Sequence, residues 1–532
     1  MLYTILFKLF YLMIYLSYCH TRPNIVFILA DDLGWGDVSI HGSTQVRTPN
    51  IDVLANNGII LNNYYVSPIC TPSRSALMTG YHPIHTGLYH NVIYNTQPWG
   101  LPLKYKILPQ YLQTLGYESH IVGKWHLGFF KRDYLPTNRG FDSHFGFWTG
   151  HTDYYQRLSG DKPQGYDFRD NENPIDLSQY QDMYLTDILT NKSVDIINNR
   201  KDPMRPLFLF VAHNAVHAAL KKNPLQAPQL YIDRFKHVSD KRRRKFCAMV
   251  SALDDSVADI VAALQVANII NNTIIIFSTD NGAATKGNSG WSIDNSIGSN
   301  WPLRGAKYTL FEGGVRGFAF IWSPLLKRKY RSEHLMHIQD WLPTIYSAAG
   351  GHTMELGPID GIDMWKVLND NLKSNRKELL HNIDNSWNVW ALRSGNYKLL
   401  YGQTFDGQFN NWYQPPGESI VANKQSIVNY KESNVYKLFE SMSYNIKPMK
   451  QILIKCNAKR QYLCEPKVNA CLFDIRSDPC EYNNLYHQKP EIVQSMLKLL
   501  DNYNTSIVKP CNQPYDEKAD PIYHNNWWSV WQ

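Results

Sequence analysis

After Tyr18 the chain holds no stretch long and apolar enough to cross a bilayer, which sets aside a multispan membrane protein. It also lacks the aromatic–basic repeats of nucleic-acid binders, and a net charge of +8 is modest for 532 residues. That charge suits an anionic substrate and gives no reason to expect nucleic acid as a partner. The run Lys241-Arg-Arg-Arg-Lys245 reads as the solvated start of a helix. Cysteine is scarce over most of the length. Of eight, only Cys19, Cys70 and Cys247 precede residue 450, and none lies between Cys70 and Cys247. Disulfides are therefore expected mainly among Cys456, Cys464, Cys471, Cys480 and Cys511, with the pairing left open. Cys247 falls in a helical pattern and reads as a buried thiol.

Leu2 to Tyr18 is apolar and aromatic with Lys8 as its one charge, too short for a comfortable span. Residues 1–21 read as a secretory signal peptide cut between Cys19 and Arg22, an uncleaved anchor being the other reading. Behind such a leader the chain enters the secretory pathway, is lysosomal or extracellular, and keeps no stable membrane span. Asn191, Asn271 and Asn504 become glycosylation acceptors. With 44% hydrophobic and 19% charged residues, the remainder supports a large core. Two domains are expected, 22–375 and 376–532.

Pro23 to Ala30 is a continuous apolar run that ends in Asp31-Asp32. Pro206 to Ala212 has the same form and leads to His213, Asn214 and His217. Thr273 to Thr279 leads to Asp280-Asn281-Gly282, and Ser119 to Gly123 leads to Lys124-Trp125-His126. Such runs are strands buried on both faces of a parallel sheet, and open α/β sheets bind ligands beyond the C-terminal strand ends. Helical patterns lie between them at 50–58, 108–116, 245–266 and 337–349, three of them closed by glycine. The fold class is α/β: a large, mostly parallel sheet sandwiched by helices. Beyond residue 375 the pattern changes. A hairpin at 389–401 about Ser394-Gly395-Asn396, a strand at 471–475 and a helix at 490–502 give a smaller antiparallel sheet with one packed helix. Residues 402–455 show no clear period.

Asp31, Asp32, Asp280 and Asn281 are hard oxygen donors, a set suited to Ca2+ or Mg2+ rather than Zn2+. A single Asp or Asn at a strand end is most often a helix cap or turn former. Two acid pairs, each closing a buried apolar run, point beyond that role. Lys124, His126, His217 and Lys307 would add two cations and two proton carriers around an anion. Taken alone, each is commonly a surface charge or a structural histidine.

Cys70-Thr-Pro-Ser-Arg74 with Thr79-Gly80 resembles the signature of the sulfatase family. Gly116-Tyr117, Gly123-Lys-Trp-His126, Asp31-Asp32 and Asp280-Asn281-Gly282 match that family in order and spacing, over about Pro23 to Asp363 and again over Cys471 to Leu485. Asn300-Trp-Pro-Leu-Arg-Gly305, Glu312-Gly-Gly-Val-Arg-Gly317, Asp340-Trp-Leu-Pro-Thr344 and Leu379-Leu-His-Asn-Ile-Asp384 resemble its arylsulfatase B branch, which acts on N-acetylgalactosamine 4-sulfate. The resemblance implies an alkaline-phosphatase-like fold and a sulfuric ester hydrolase that acts on a sulfated glycan or aryl sulfate. It implies that a formylglycine-generating enzyme oxidises Cys70 to formylglycine, whose hydrate attacks sulfur. Asp31, Asp32, Asp280 and Asn281 would hold one Ca2+ together with that residue. Arg74 and Lys124 would stabilise the hydrate. His126 would take a proton as the covalent sulfate breaks down. His217 and Lys307 would contact the sulfate, with His217 protonating the leaving oxygen.

The sequence departs from that pattern in places. Met78 replaces a usual Leu, a volume-conserving change. Ala218 to Asn223 is an insertion ahead of Pro224-Leu-Gln-Ala-Pro228, and it leaves the sugar open. The loop 97–106 lacks the disulfides of vertebrate relatives and must be held another way or be freer. The competing classes are a phosphoesterase of the alkaline phosphatase superfamily, which would use Ser or Thr with Zn2+, and a non-catalytic protein that binds sulfated glycan.

Overall fold

The computed structural model describes residues 22–285, 296–417, 429–456 and 459–532. The expected signal segment 1–21, with Cys19, lies outside the described residues. The strands in chain order are β1 (Asn24–Ala30), β2 (Ile59–Tyr65), β3 (Glu118–Lys124), β4 (Ser143–Phe147) and four two-residue strands. Those four are β5 (Leu158–Ser159), β6 (Gly165–Tyr166), β7 (Arg169–Asp170) and β8 (Asn173–Pro174). Next come β9 (Leu207–Ala212), β10 (Thr273–Thr279), β11 (Ala319–Trp322), β12 (Tyr330–His337), β13 (Glu378–Asp384), β14 (Val389–Ser394), β15 (Tyr397–Tyr401) and β16 (Cys471–Asp474).

Ten strands form one sheet in the order β12-β2-β11-β10-β1-β9-β3-β4-β7-β8. Its centre is parallel, because β1 pairs in parallel with both β10 and β9, and β3 does so with β9 and β4. The apolar runs explain this: every residue of β1, β9 and β10 is buried, so both faces of these strands are covered. On one face Lys241–Val266 and Leu185–Asn198 pack against Val26, Ile28 and Leu209. On the other Cys70–Thr79 and Trp341–Ala348 pack against Phe27, Leu29 and Phe210. Met78 is buried in this second layer. Strand register decides which polar residues become neighbours. Ala30 lies beside Thr279, and Leu29 and Gly123 both lie beside Ala212. Asp31, Asp280, His213 and Lys124 therefore leave neighbouring strands at one rim.

Strands β13-β14-β15-β16 form the smaller antiparallel sheet, and Pro490–Asn504 packs on it through Val493, Met496 and Leu500. Disulfides join Cys456 to Cys480 and Cys464 to Cys471, while Cys247 is a buried free thiol and Cys511 is also free. The segment without a clear period returns to the large sheet. Phe439 stacks on Trp322 at 5.1 Å, and the Ile452 amide donates to Ile40. The loop 97–106 is held by Arg139, whose guanidinium donates to the carbonyls of Leu101 at 3.0 Å and Tyr105 at 2.9 Å.

A buried ionic cluster joins the two sheets. Lys398 of β15 lies 2.9 Å from Glu312 and 3.0 Å from Glu481, and the Glu312 amide donates to Glu481. Burial, opposed by Lys398 and reinforced by Glu312, pushes Glu481 from 4.5 up to about 7. A carboxyl raised in this way favours the folded state while protonated. Its contribution is fully present below pH 4.5 and is lost as pH rises through 7. Glu481→Gln is expected to remove that slope, so that its stability relative to the unmodified protein rises by about 2 kcal/mol between pH 5 and pH 7.5. Thermal unfolding at the two pH values measures it. A pH slope equal to that of the unmodified protein would count against the assignment.

Candidate active site

Cys70 opens the Cys70–Thr79 helix, with Pro72 in the first turn, where a missing N–H is tolerated, and Gly80 closing it at φ 71°. The helix start points Cys70 at the strand rim. Its Sγ lies 3.5 Å from Asp31 Oδ1, and burial, with Asp31 adding, pushes the thiol up to about 12. Arg74, one turn on, lies 2.9 Å from Asp280 Oδ2 and 3.6 Å from Asp31 Oδ2, and it donates to the Lys124 carbonyl. Lys124 lies 2.6 Å from Asp31 Oδ2, and Lys307 lies 2.7 Å from Asp32 Oδ1. Burial works hardest against the Lys307 charge, but Asp32 together with Cys70, Tyr308 and Asp31 outweighs it and holds the ammonium well above its usual range. Asp280 moves the other way, raised by burial and by Asp31.

Three buried carboxylates thus meet three buried cations. Asp32 and His126 both hold left-handed backbone, at φ 59° each, a strained state that only surrounding structure maintains. His126 Nε2 faces the Ile93 carbonyl at 3.0 Å, so that nitrogen carries the proton. Its Nδ1 is buried without a partner. Burial and then Lys124 keep this ring well below the usual histidine range, so it is neutral and able to accept a proton. His217 is arranged the other way round. Nδ1 donates to the Ala218 carbonyl at 2.6 Å, and Nε2 faces Asp32 at 3.7 Å. Burial and Lys307 lower it to about 3.

Could these residues hold a divalent cation? Ligand atoms of Asp31, Asp32, Cys70 and His217 all lie within 4.8 Å of one another. Asn281 Nδ2 donates to Asp32 Oδ1 at 2.7 Å, while its Oδ1 is buried with no donor, an acceptor that a cation would satisfy. Asp280 Oδ2 accepts from Arg74, and its Oδ1 accepts from the Asp32 amide at 3.3 Å. The two carboxylates and Asn281 Oδ1 fit a hard divalent ion, the Cys70 sulfur and the His217 imidazole being the softer members of the group.

Above this floor lies a cavity of about 490 Å³. Asp32, Cys70, His126, His217 and Lys307 reach it, whereas Asp31, Arg74, Lys124, Asp280 and Asn281 sit behind them. Its walls include groups that sequence reasoning missed: His151, Tyr94, Tyr308 and Trp528. The His151 ring stacks on His217 at 5.2 Å, and Trp528 arrives from the far end of the chain to donate to the Ser159 carbonyl. None of the four sits in a motif. For His151 the one available signal was its place a few residues beyond the apolar stretch that becomes β4. Ala218 and Lys221 of the insertion also line the cavity.

A family model described as Sulfatase matches residues 23–351. The chain belongs to the sulfatase family. This sulfatase is 38% identical to mouse arylsulfatase J over 96% of its own length and 80% of that protein. It is 33% identical to the N-acetylgalactosamine-6-sulfatase of Canis lupus familiaris over 71% of this chain and 72% of that one, and 30% identical to human arylsulfatase A over 71% and 75%. Among solved structures, Ps i-CgsB in complex with k-i-k-neocarrahexaose superposes with a TM-score of 0.71 at 25% identity, covering 95% of this chain and 97% of that one. The protein is a sulfuric ester hydrolase that acts on sulfate esters of sulfated sugars or aryl substrates. Among the described residues no helix is long and apolar enough to cross a membrane.

Proposed function

We propose that this sulfatase removes sulfate from a sulfated amino sugar, with N-acetylgalactosamine 4-sulfate of glycosaminoglycans as the first candidate, in the manner of arylsulfatase B. The observation that carries the reading is the cavity floor, where Cys70, His126, His217 and Lys307 converge on one small volume beside Asp32. The similarity to N-acetylgalactosamine-6-sulfatases supports the amino sugar, while the four short stretches that resemble arylsulfatase B favour the 4-position. The reading includes maturation in the secretory pathway by a formylglycine-generating enzyme, with the chemistry in residues 22–375 and a supporting role for 376–532.

Asp31, Asp32, Asp280, Asn281 and oxidised Cys70 would hold Ca2+, which when bound supplies positive charge against the sulfate oxygens. The chain's own groups do the rest. Lys307, well above its usual range, stays charged and binds the sulfate. Arg74 and Lys124, anchored on Asp280 and Asp31, orient the oxygens at residue 70. His126 offers Nδ1 as the base. His217 carries its proton on Nδ1, so Nε2 gains one beside the anionic substrate and passes it to the leaving oxygen.

The test runs a panel of sulfated disaccharides on the unmodified enzyme and on His217→Ala. The 4-sulfated N-acetylgalactosamine disaccharide is expected to turn over fastest. His217→Ala should lower kcat on that sugar by about 10²–10⁴-fold, and far less on an aryl sulfate, whose phenoxide leaves without a proton. Equal losses on both substrates would remove His217 from the acid role. No turnover of any 4-sulfated sugar would remove the substrate.

A further inference from the structure

A second, larger cleft of about 1200 Å³ opens between β2 and β12 on one side and the β14–β15 hairpin on the other. It shares no lining residue with the active-site cavity. Its walls carry eight lysine and arginine side chains against one carboxylate, Glu333, which is nearly the whole chain's net excess of +8. Glu333 is already taken by Arg331 at 2.8 Å. Arg316, Arg376 and Arg393 form part of the frame, the first paired with Glu312, the second with Asp340, and the third donating to the Tyr65 hydroxyl. That leaves Lys373, Lys377, Lys455 and Arg476. All four are exposed, and among the described residues none has a carboxylate partner.

These four come from three separate stretches of chain: the approach to β13, the segment that returns past Ile452, and the turn after β16. Gathering unpaired cations in a concave site raises the local potential, and low-dielectric walls focus it. A folded chain gains nothing from that crowding by itself. It gains when a polyanion lies across the cleft and releases its own counterions. Among the cations stands the exposed Asn396, an amide suited to sugar hydroxyls, with the Tyr397 ring beside it, while Asn62 and Asn63 are held by Glu333. The concave form and the Asn396 amide favour a flexible glycan over a flat lipid surface.

We propose that this cleft is a second binding site for an extended sulfated glycan, one that holds the chain by electrostatics apart from the active site and so concentrates its ends there. The choice of polyanion rests on the sulfated-sugar reading of the active site. The binding itself is measured without turnover, so the two can fail separately.

The test uses the full-length protein and the variant K373Q/K377Q/K455Q/R476Q. Binding of a chondroitin sulfate chain at 0.1 M salt is expected to weaken by about tenfold or more, with a shallower dependence on salt. KM for the chain should rise, while kcat and KM on 4-nitrophenyl sulfate stay unchanged. Unchanged affinity for the chain overturns the proposal. So does equal binding of desulfated chondroitin, or tighter binding to phosphatidylserine vesicles than to the glycan. If the fourfold variant also loses aryl sulfate turnover, the pairs K373Q/K377Q and K455Q/R476Q carry the test. Each is expected to weaken chain binding by about threefold, and an unchanged affinity in both overturns the proposal.

Discussion

Cys70→Ala is expected to fold normally and to lose turnover by about 10⁵-fold or more, on every sulfate ester tried. The two halves of that expectation have separate causes. Folding is spared because the thiol contributes little. It opens the helix rather than sitting in its middle, and its one polar contact is the 3.5 Å approach to Asp31. Alanine has the higher helix propensity and fills most of the same space. Turnover is lost because, among the described residues, the cavity floor has no other side chain in place of residue 70 to supply an oxygen nucleophile free of a partner. Asp32 is held by Lys307, and the remaining groups are two imidazoles and an ammonium. The companion measurement is the mass of the peptide spanning Thr48 to Arg74. Oxidation of the thiol to an aldehyde lowers it by about 18 Da relative to the cysteine form. Full aryl sulfatase activity in Cys70→Ala, or a retained thiol mass in fully active enzyme, would end the reading.

Much of this site was legible in the sequence because parallel sheets write themselves plainly. A strand covered on both faces must be apolar throughout, so β1, β9 and β10 appear as unbroken runs, and the polar residue that ends each run marks the rim. Three neighbouring strands were not legible. In β2 the pair Asn62-Asn63 breaks the apolar run, since their side chains face Glu333 across the sheet edge. β11 is four residues long, and the edge strand β12 mixes exposed charges with a buried Ser332 before its apolar Leu335-Met336. Short or half-exposed strands carry too little pattern to stand out. The helix at Asn434–Ser441 was hidden for a different reason. Only Val435 and Phe439 are buried, so one turn of apolar spacing was all there was to find.

Within the site, legibility tracked motif membership rather than importance. Cys70, Arg74, Lys124 and His126 lie in contiguous signatures, and the structure brings them to one rim together with His217 and Lys307. His151, Tyr308 and Trp528 reach the same cavity through packing between distant segments, which no local period encodes. The part played by Asp280 was also invisible. Only the folded arrangement shows its Oδ2 accepting from Arg74 and its Oδ1 from the Asp32 amide, with Asn281 Oδ1 as a buried acceptor without a donor.

Removing the divalent ion is expected to lower turnover by about 10²-fold or more and to lower the unfolding temperature as well. The argument is one of charge. Asp31, Asp32 and Asp280 carry three negative charges, all buried, and Lys124, Lys307 and Arg74 carry three positive ones. The protein groups alone therefore balance, and a balanced cluster has little pull on a sulfate monoester. A bound divalent cation leaves the rim net positive and gives Asn281 Oδ1 its missing partner. At a free Ca2+ concentration of about 1,000 times Kd the linkage is worth about 4 kcal/mol of stability. A calcium-selective chelator should remove both effects, and a zinc-selective one neither, because once Cys70 is oxidised the donors are oxygens with one imidazole beside them. Asp32→Ala separates the metal from a general loss of charge. Its unfolding temperature should no longer respond to Ca2+, while Lys307, freed of its partner at 2.7 Å, keeps the protein able to bind sulfate. A variant whose melting still rises with Ca2+, or an enzyme inactivated by the zinc-selective chelator alone, would move the ion elsewhere and point to phosphatase-type chemistry.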